Sequence, residues 1–472
     1  MTWPMTWALV PAYMALAVAA IVALVPDRRA IWVAAIGLWT GVGAGVVFAA
    51  LAISGLLPDR NGLAIVLALL TSFVAAIVMS FSTRYLRADP RRRVYAVQVV
   101  LLAASVCAFV GSRNVLVFAA AWLASGQLLA KLIGHASDWQ AAAHAARRAR
   151  RSFTVGDTAL LVALVLLALH AHTLDLAVMI AASASLGQPY VTLAALLILM
   201  AAMARSALPP FSDWLLGSMT APTPVSALMH AGLVNAGGFV LIRFAPTMEA
   251  APLVQIGAVA AGLIAALWGT GILLVRPDIK TGLAGSTIAQ MGFMVLTCGL
   301  GGYAAALWHL VAHGLFKAWL FLGSGSAIGG LRAAALAPLR PAGVIVAIAA
   351  SAMSGIAMLA VGVPAPVALP LLLAIATGVV TATRVARGPG AGWLGIGAVG
   401  VVAVYAAGVT AIDTALVRPL GVAPGGIWLP VIVAAIFLLC WLFQIRRQII
   451  GVPLPAALYV RLLNAGRSPG SA

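Results

Sequence analysis

The sequence predicts an all-α fold, a polytopic membrane helical bundle of about 15 transmembrane helices, some of them broken. Three observations carry this expectation. The 472 residues are 64% hydrophobic and 8% charged, with mean hydropathy +1.11, whereas a soluble domain holds about 25% charged residues. Apolar runs long enough to span a bilayer recur from end to end. The Lys and Arg residues concentrate in alternate connections, as the positive-inside rule requires.

In chain order, spans are expected near 7–25, 31–55, 62–83, 95–111, 114–133, 156–173, 190–208 and 224–243. They continue near 253–275, 282–300, 303–328, 341–361, 365–383, 391–411 and 428–445. The stretch 174–189 suits an extra interfacial piece, and the junction 361–370 is proline-rich. Of the 28 Lys and Arg, 22 fall on the odd-numbered connections, including RYLRADPRRR and the ARRARR run. Arg60, Arg113, Arg243 and Arg418 fall on the even side, while Arg205 and Lys317 lie within or at the edge of spans. This bias puts the N-terminus outside and the C-terminus in the cytoplasm.

No Gly/Ser linker or polar insert interrupts the spans, so residues 1–472 are expected to form a single transmembrane domain. The first span lacks the pattern of a cleaved signal peptide and is expected to remain. Cys107, Cys298 and Cys440 lie far apart in apolar runs without metal-ligand spacing, so no metal site is expected. The net charge of +18 reflects basic loops that orient the chain and touch anionic headgroups, with no nucleic acid as partner.

Function is written most clearly in 307–330, LWHLVAHGLFKAWLFLGSGSAIGG, where His309, His313 and Lys317 follow at i, i+4 spacing. Each step advances about 400°, so the side chains drift by about 40° and share one helix face. A lysine inside a span costs about 2.5–3.5 kcal/mol on insertion scales, so it needs a partner or a wet cavity. Two imidazoles, one and two turns away, can exchange protons with it. Ion or proton movement within a membrane is the chemistry that follows.

Three further stretches carry polar groups at membrane depth. Arg205 precedes the tandem Pro209 and Pro210, which remove two backbone donors and break or end the helix. Broken helices at that depth line cavities and mark ion paths. Position alone leaves a second reading open, in which Arg205 snorkels to the interface beside Asp213. In 221–238, Pro222 and Pro224 open the next span and His230 sits two turns in, either as a relay member or as a helix–helix hydrogen-bonding group. Gly232, Gly237 and Gly238 would let a neighbouring helix approach. In 276–293, Asp278 and Lys280 fix the cytoplasmic start of a span whose Ser286, Thr287 and Gln290 can hold water.

In this order, the four pieces resemble the proton-pumping antiporter-like subunits of respiratory complex I and of multisubunit sodium/proton antiporters. The family pattern LPxxxWLxxAMxxPTPVSALxHAxxxVxAG appears here as RSALPPFSDWLLGSMTAPTPVSALMHAGLVNAGG. Its DIKRxLAxSTxSQxGYM appears as DIKTGLAGSTIAQMGFM, and its HLxxHAxFKAxLFLxxGS as HLVAHGLFKAWLFLGSGS. Weaker matches cover RYLRADP, NVLVFAAAWLASG and the VGD ending at Asp157, so the antiporter-like proton-translocating core spans 80–330. The last 140 residues match in hydropathy alone.

The resemblance implies that Lys317 is the central relay lysine, fed by His309 and His313. It makes His230 the link to the broken helix, and puts Arg205 at the position of the broken-helix lysine. Four departures stand against a full proton wire of that type. The family's Trp-Glu pair reads Trp122-Leu123, and the only glutamate is Glu249, in a loop. The broken-helix lysine is an arginine, which does not release its proton. The late-helix lysine has no counterpart near AASAMSGIAML, and no room is left for a long lateral helix after span fifteen.

These losses fit a related branch better, the DabB-type membrane subunits of two-component inorganic carbon transporters in the bacterial inner membrane. That resemblance implies conduction of protons or another cation to energise bicarbonate/CO2 uptake by a DabA-like, zinc-containing partner resembling a β-carbonic anhydrase. It implies a transport subunit and not an enzyme, with no cofactor in this chain and zinc in the partner. The alternative is an antiporter-like pumping subunit of complex I, a membrane hydrogenase or an Mrp-type Na+/H+ antiporter, part of an NADH:quinone oxidoreductase in the first case. A third reading is a decayed pump that only anchors a soluble partner.

Overall fold

Why the chain forms a bundle of long helices follows from the bilayer, in which every backbone polar group must be satisfied within its own segment. The computed structural model describes residues 7–56, 62–325, 428–450 and 452–465, with a few isolated positions between. Ten described helices are long and apolar enough to cross a membrane. The spans expected near 341–361, 365–383 and 391–411 lie outside the described residues.

The first six helices are α1 (Val10–Leu24), α2 (Asp27–Ile53), α3 (Gly62–Tyr85), α4 (Arg92–Gly111), α5 (Val115–Ile133) and α6 (Gln140–Ala171). Leu16, Ile21, Trp32, Ile36 and Val47 on α1 and α2 are exposed, as expected of a lipid-facing layer. Helices α3 to α6 bury more of their length. Asn114 caps α5 by accepting from the amides of Leu116 and Val117. Asn114 and Asp175 also form an isolated antiparallel bridge, closed by Val115 N to Leu174 O at 2.9 Å.

One expectation is corrected here. The ARRARR run is not a loop. It lies inside α6, which starts at Gln140 and runs for 32 residues. Alanine and arginine are both strong helix formers, so charge placed the run outside the span while propensity kept it helical. The stretch 174–189 is the short helix α7 (Leu176–Ala182) followed by a single 3-10 turn.

The second half opens with α8 (Gln188–Arg205), which ends just before the tandem prolines, and α9 (Asp213–Gly217). The span expected at 224–243 is itself discontinuous. Pro222 precedes α10 (Thr223–Ala231), which stops at Gly232; a 3-10 turn follows, then α11 (Ala236–Arg243). After α12 (Ala245–Glu249) come α13 (Pro252–Val275), α14 (Ile279–Gly299) and α15 (Tyr303–Gly323). Helices α13 and α14 lie backbone to backbone: a Cβ added at Gly269 would fall 2.3 Å from Ala289 N. Small residues that permit such approach drive helix association in lipid. Further helices are Trp428–Ile450 and Ala456–Leu463.

Candidate functional site

Two buried polar clusters occupy the interior, one on each side of the broken span α10–α11. The first is built on Arg205. Its residue is 2% exposed, so the guanidinium does not snorkel, and its carboxylate partner is Asp157 of α6, not Asp213. Nη2 donates to Asp157 Oδ1 at 2.8 Å and to the Trp122 carbonyl at 2.7 Å, while Nη1 donates to Ser125 Oγ at 3.2 Å. Trp122 Nε1 donates to the same Asp157 oxygen at 2.8 Å. The guanidinium stacks over the rings of Trp122 and Phe153, 4.4 and 5.0 Å from their centroids. Asp213 is exposed at the start of α9.

The Trp122-Leu123 site therefore lacks its carboxylate only in sequence; in space, Asp157 supplies one from the next helix. No local spacing rule connects positions 48 apart, as the ion pair does. Charge balance was the available signal. Asp157 is the one acidic residue inside the expected spans, at the start of 156–173, and a buried guanidinium requires a paired anion. Ser125 was missed for the same reason.

The second cluster is built on α15 and read out by α14. Lys317, 0% exposed, donates from Nζ to Ser286 Oγ at 2.9 Å and to the Leu283 carbonyl at 3.0 Å. His313 Nδ1 pairs with Gln290 Oε1. His230, on α10, pairs through Nδ1 with Thr287 Oγ1 at 3.0 Å and stacks on Phe321 with centroids 4.2 Å apart. The three small polar residues of α14 thus each meet one candidate relay group directly. His309 and His313 stack with centroids 5.9 Å apart, and Phe293 flanks His309 at 5.7 Å. The Nε2 atoms of His230, His309 and His313 have no protein partner, which leaves each ring a nitrogen free to accept or donate a proton. His230 is also within electrostatic range of Lys317 and Lys280.

The broken span joins the clusters. Ser206, next to Arg205, donates to the Val234 carbonyl at 2.7 Å, and Asn235 donates to the Ala231 carbonyl at 2.8 Å. The Asn235 amide bonds the Gly232 carbonyl at 3.2 Å, so the Asn235 side chain replaces the helical bond that the Ala231 carbonyl loses at the break, while Ser206 ties α8 to the turn that opens α11. The opening prolines put Thr223 at the entrance, where its hydroxyl accepts from Tyr85 at 3.3 Å. Lys280 Nζ donates to the Ala221 carbonyl at 3.2 Å.

Outside the spans, Asp278 caps α14 by accepting from Thr281 N at 2.9 Å. Burial pushes its carboxyl up, but the Thr281 hydrogen bonds together with the Arg276 charge outweigh this and hold it below its ordinary value. Burial raises the Glu249 carboxyl above its own. Among the described residues no group of three His, Cys, Asp or Glu is placed to hold a metal ion.

Residues 112–375 match the family described as NADH:quinone oxidoreductase/Mrp antiporter, TM. A probable inorganic carbon transporter subunit DabB of Bacillus subtilis (strain 168) is 46% identical over 220 residues, 46% of this chain and 43% of that protein. The probable inorganic carbon transporter subunit DabB1 of Halothiobacillus neapolitanus is 40% identical over 225 residues, 46% of this chain and 40% of that protein. NADH-quinone oxidoreductase subunit L of Mycobacterium tuberculosis (strain ATCC 25618 / H37Rv) is 40% identical over 236 residues, 47% and 37% of the two chains. The matches thus cover less than half the length of these curated relatives. A chain of the Mrp complex from Dietzia sp. DQ12-45-1b superposes with TM-score 0.63 at 26% identity, over 98% of this chain and 52% of that one.

Proposed function

The chain belongs to the NADH:quinone oxidoreductase/Mrp antiporter transmembrane family, and from that premise we propose that it is the membrane subunit of an inorganic carbon (bicarbonate/CO2) transporter. It moves protons or another cation along His309, His313 and Lys317 to energise uptake by a DabA-like, zinc-containing partner. The similarity to DabB subunits supports the carbon assignment. Pairing of Ser286, Thr287 and Gln290 with Lys317, His230 and His313 is the observation that carries the relay. It keeps a lysine and two imidazoles in hydrogen-bonded register inside an apolar bundle, an expensive arrangement for a passive anchor.

In the cycle, Lys317 takes a proton while Ser286 Oγ and the Leu283 carbonyl accept from its ammonium. The His313 and His309 rings pass protons along the same face through their free nitrogens. Arg205 keeps its charge throughout, since a guanidinium does not deprotonate in a protein, and Asp157 fixes it. The resident membrane is the bacterial inner membrane, with a periplasmic N-terminus and cytoplasmic C-terminus.

The subunit L relative and the Mrp superposition favour a second reading, an antiporter-like subunit of a respiratory or sodium/proton antiporter complex. A mild-detergent pull-down of the tagged chain separates them. One large zinc-binding partner is the expected result, with bicarbonate uptake as the next assay. A ladder of hydrophobic subunits with flavin or iron–sulfur proteins would overturn the carbon assignment and leave the relay in place.

A further inference from the structure

Away from both clusters, an open cleft of about 460 Å3 lies where α4, α5 and α6 meet. Arg91, Lys131, Arg147 and Arg150 line it, together with Gln98 and His135. Among the described residues, the side chains of Lys131, Arg147 and Arg150 have no acidic partner. The acids nearby are already engaged. Asp89 binds His135 at 3.0 Å and the Arg91 amide at 2.7 Å, and Asp138 accepts from Ser137 at 3.1 Å. Gln98 Oε1 is buried without a partner. The cleft is therefore strongly positive, with an unpartnered amide oxygen at its side.

The length of α6 says where the cleft sits. At about 1.5 Å per residue, its 32 residues reach roughly 48 Å, against a hydrocarbon core of about 30 Å. About 12 residues must project beyond the core, which matches the basic segment from Gln140 to Arg151 if the apolar end stays in the hydrocarbon. Trp139, 53% exposed beside the helix start, suits the headgroup level where tryptophan is enriched. Val94, Ala130, Ala143 and Ala146 add apolar walls to the cations. A small soluble anion uses neither the apolar walls nor a volume of this size.

We propose that this cleft binds the phosphate of an anionic phospholipid, held by Lys131, Arg147 and Arg150. Its acyl chains leave along the helices into the bilayer. Basic pockets between membrane helices recognise headgroups through this chemistry. The same helix carries Phe153 and Asp157, one and two turns beyond Arg150, so the lipid also fixes the helix that holds Arg205.

The test uses the full chain in mild detergent, followed by native mass spectrometry with added phosphatidylglycerol or phosphatidylcholine. Lys131→Gln, Arg147→Gln and Arg150→Gln combined should raise the phosphatidylglycerol needed for half-occupancy by about tenfold or more. Arg28→Gln, Arg29→Gln and Arg87→Gln combined remove equal charge elsewhere and should leave occupancy unchanged. Equal losses in the two variants would reduce the effect to diffuse attraction and overturn the site. Ala143→Trp fills the cleft with every charge in place and should also expel the lipid; full retention would overturn the proposal even where the triple variant does not fold. If inorganic phosphate alone raises the thermal midpoint as much as phosphatidylglycerol does, the occupant is a free anion and the lipid assignment fails.

Discussion

Arg205 and Lys317 are both buried basic residues, yet their surroundings differ. Arg205 has a carboxylate at 2.8 Å and two aromatic faces; Lys317 has a hydroxyl and a carbonyl as its hydrogen-bond acceptors. Removing one partner of a buried ion pair leaves an uncompensated charge and costs about 3–5 kcal/mol. Asp157→Asn should therefore lower the denaturation midpoint sharply, and Asp157→Glu should recover part of the loss; two identical midpoints would show that the anion is not needed. Lys317→Ala should abolish cation flux in reconstituted vesicles while the protein still inserts and folds, and retained flux would sink the relay. The lysine face was legible in the sequence because i, i+4 spacing dictates a shared side. The Asp157 partnership was not, because it joins helices by packing that no local pattern encodes.

At the scale of elements, the breaks matter more than the spans. Pro209 and Pro210 announced the end of α8, but the stop after His230 was hidden. It falls at Gly232, in a run whose hydropathy reads as one continuous crossing. Asn235 repairs it, and Ser206 ties α8 to the turn that follows. A Cβ at Gly237 would sit 2.3 Å from both the Ala202 carbonyl oxygen and Ser206 Oγ. Gly237→Ala should thus push α11 from α8, lowering both thermal midpoint and flux, whereas an unchanged midpoint would mean that the pair gives way freely. At the start of α14, Asp278→Ala removes a cap worth about 1 kcal/mol. Because its carboxyl is held low in the folded state, its contribution is present above the unfolded value and fades as pH falls through the folded one. Asp278→Asn should flatten that part of the stability–pH curve, as chemical denaturation at several pH values would reveal.

For the molecule as a whole, hydropathy and the distribution of charge were enough to predict a membrane bundle. They misplaced the basic half of α6, whose alanines and arginines favour helix wherever the bilayer ends. One arithmetic consequence of the two unlike cations reaches beyond structure. In the proposed relay, a guanidinium that never discharges contributes nothing to the stoichiometry, and a single ammonium passes one cationic charge per cycle. A membrane potential of 100 mV supplies about 2.3 kcal/mol per charge, enough to hold a concentration ratio of about fiftyfold. A solute that crosses uncharged with that cation should therefore level off near this ratio in vesicles clamped at that potential with no pH difference, whereas bicarbonate carried with one cation moves no net charge and should not accumulate; a plateau in the thousands would require a second charge and a second carrier.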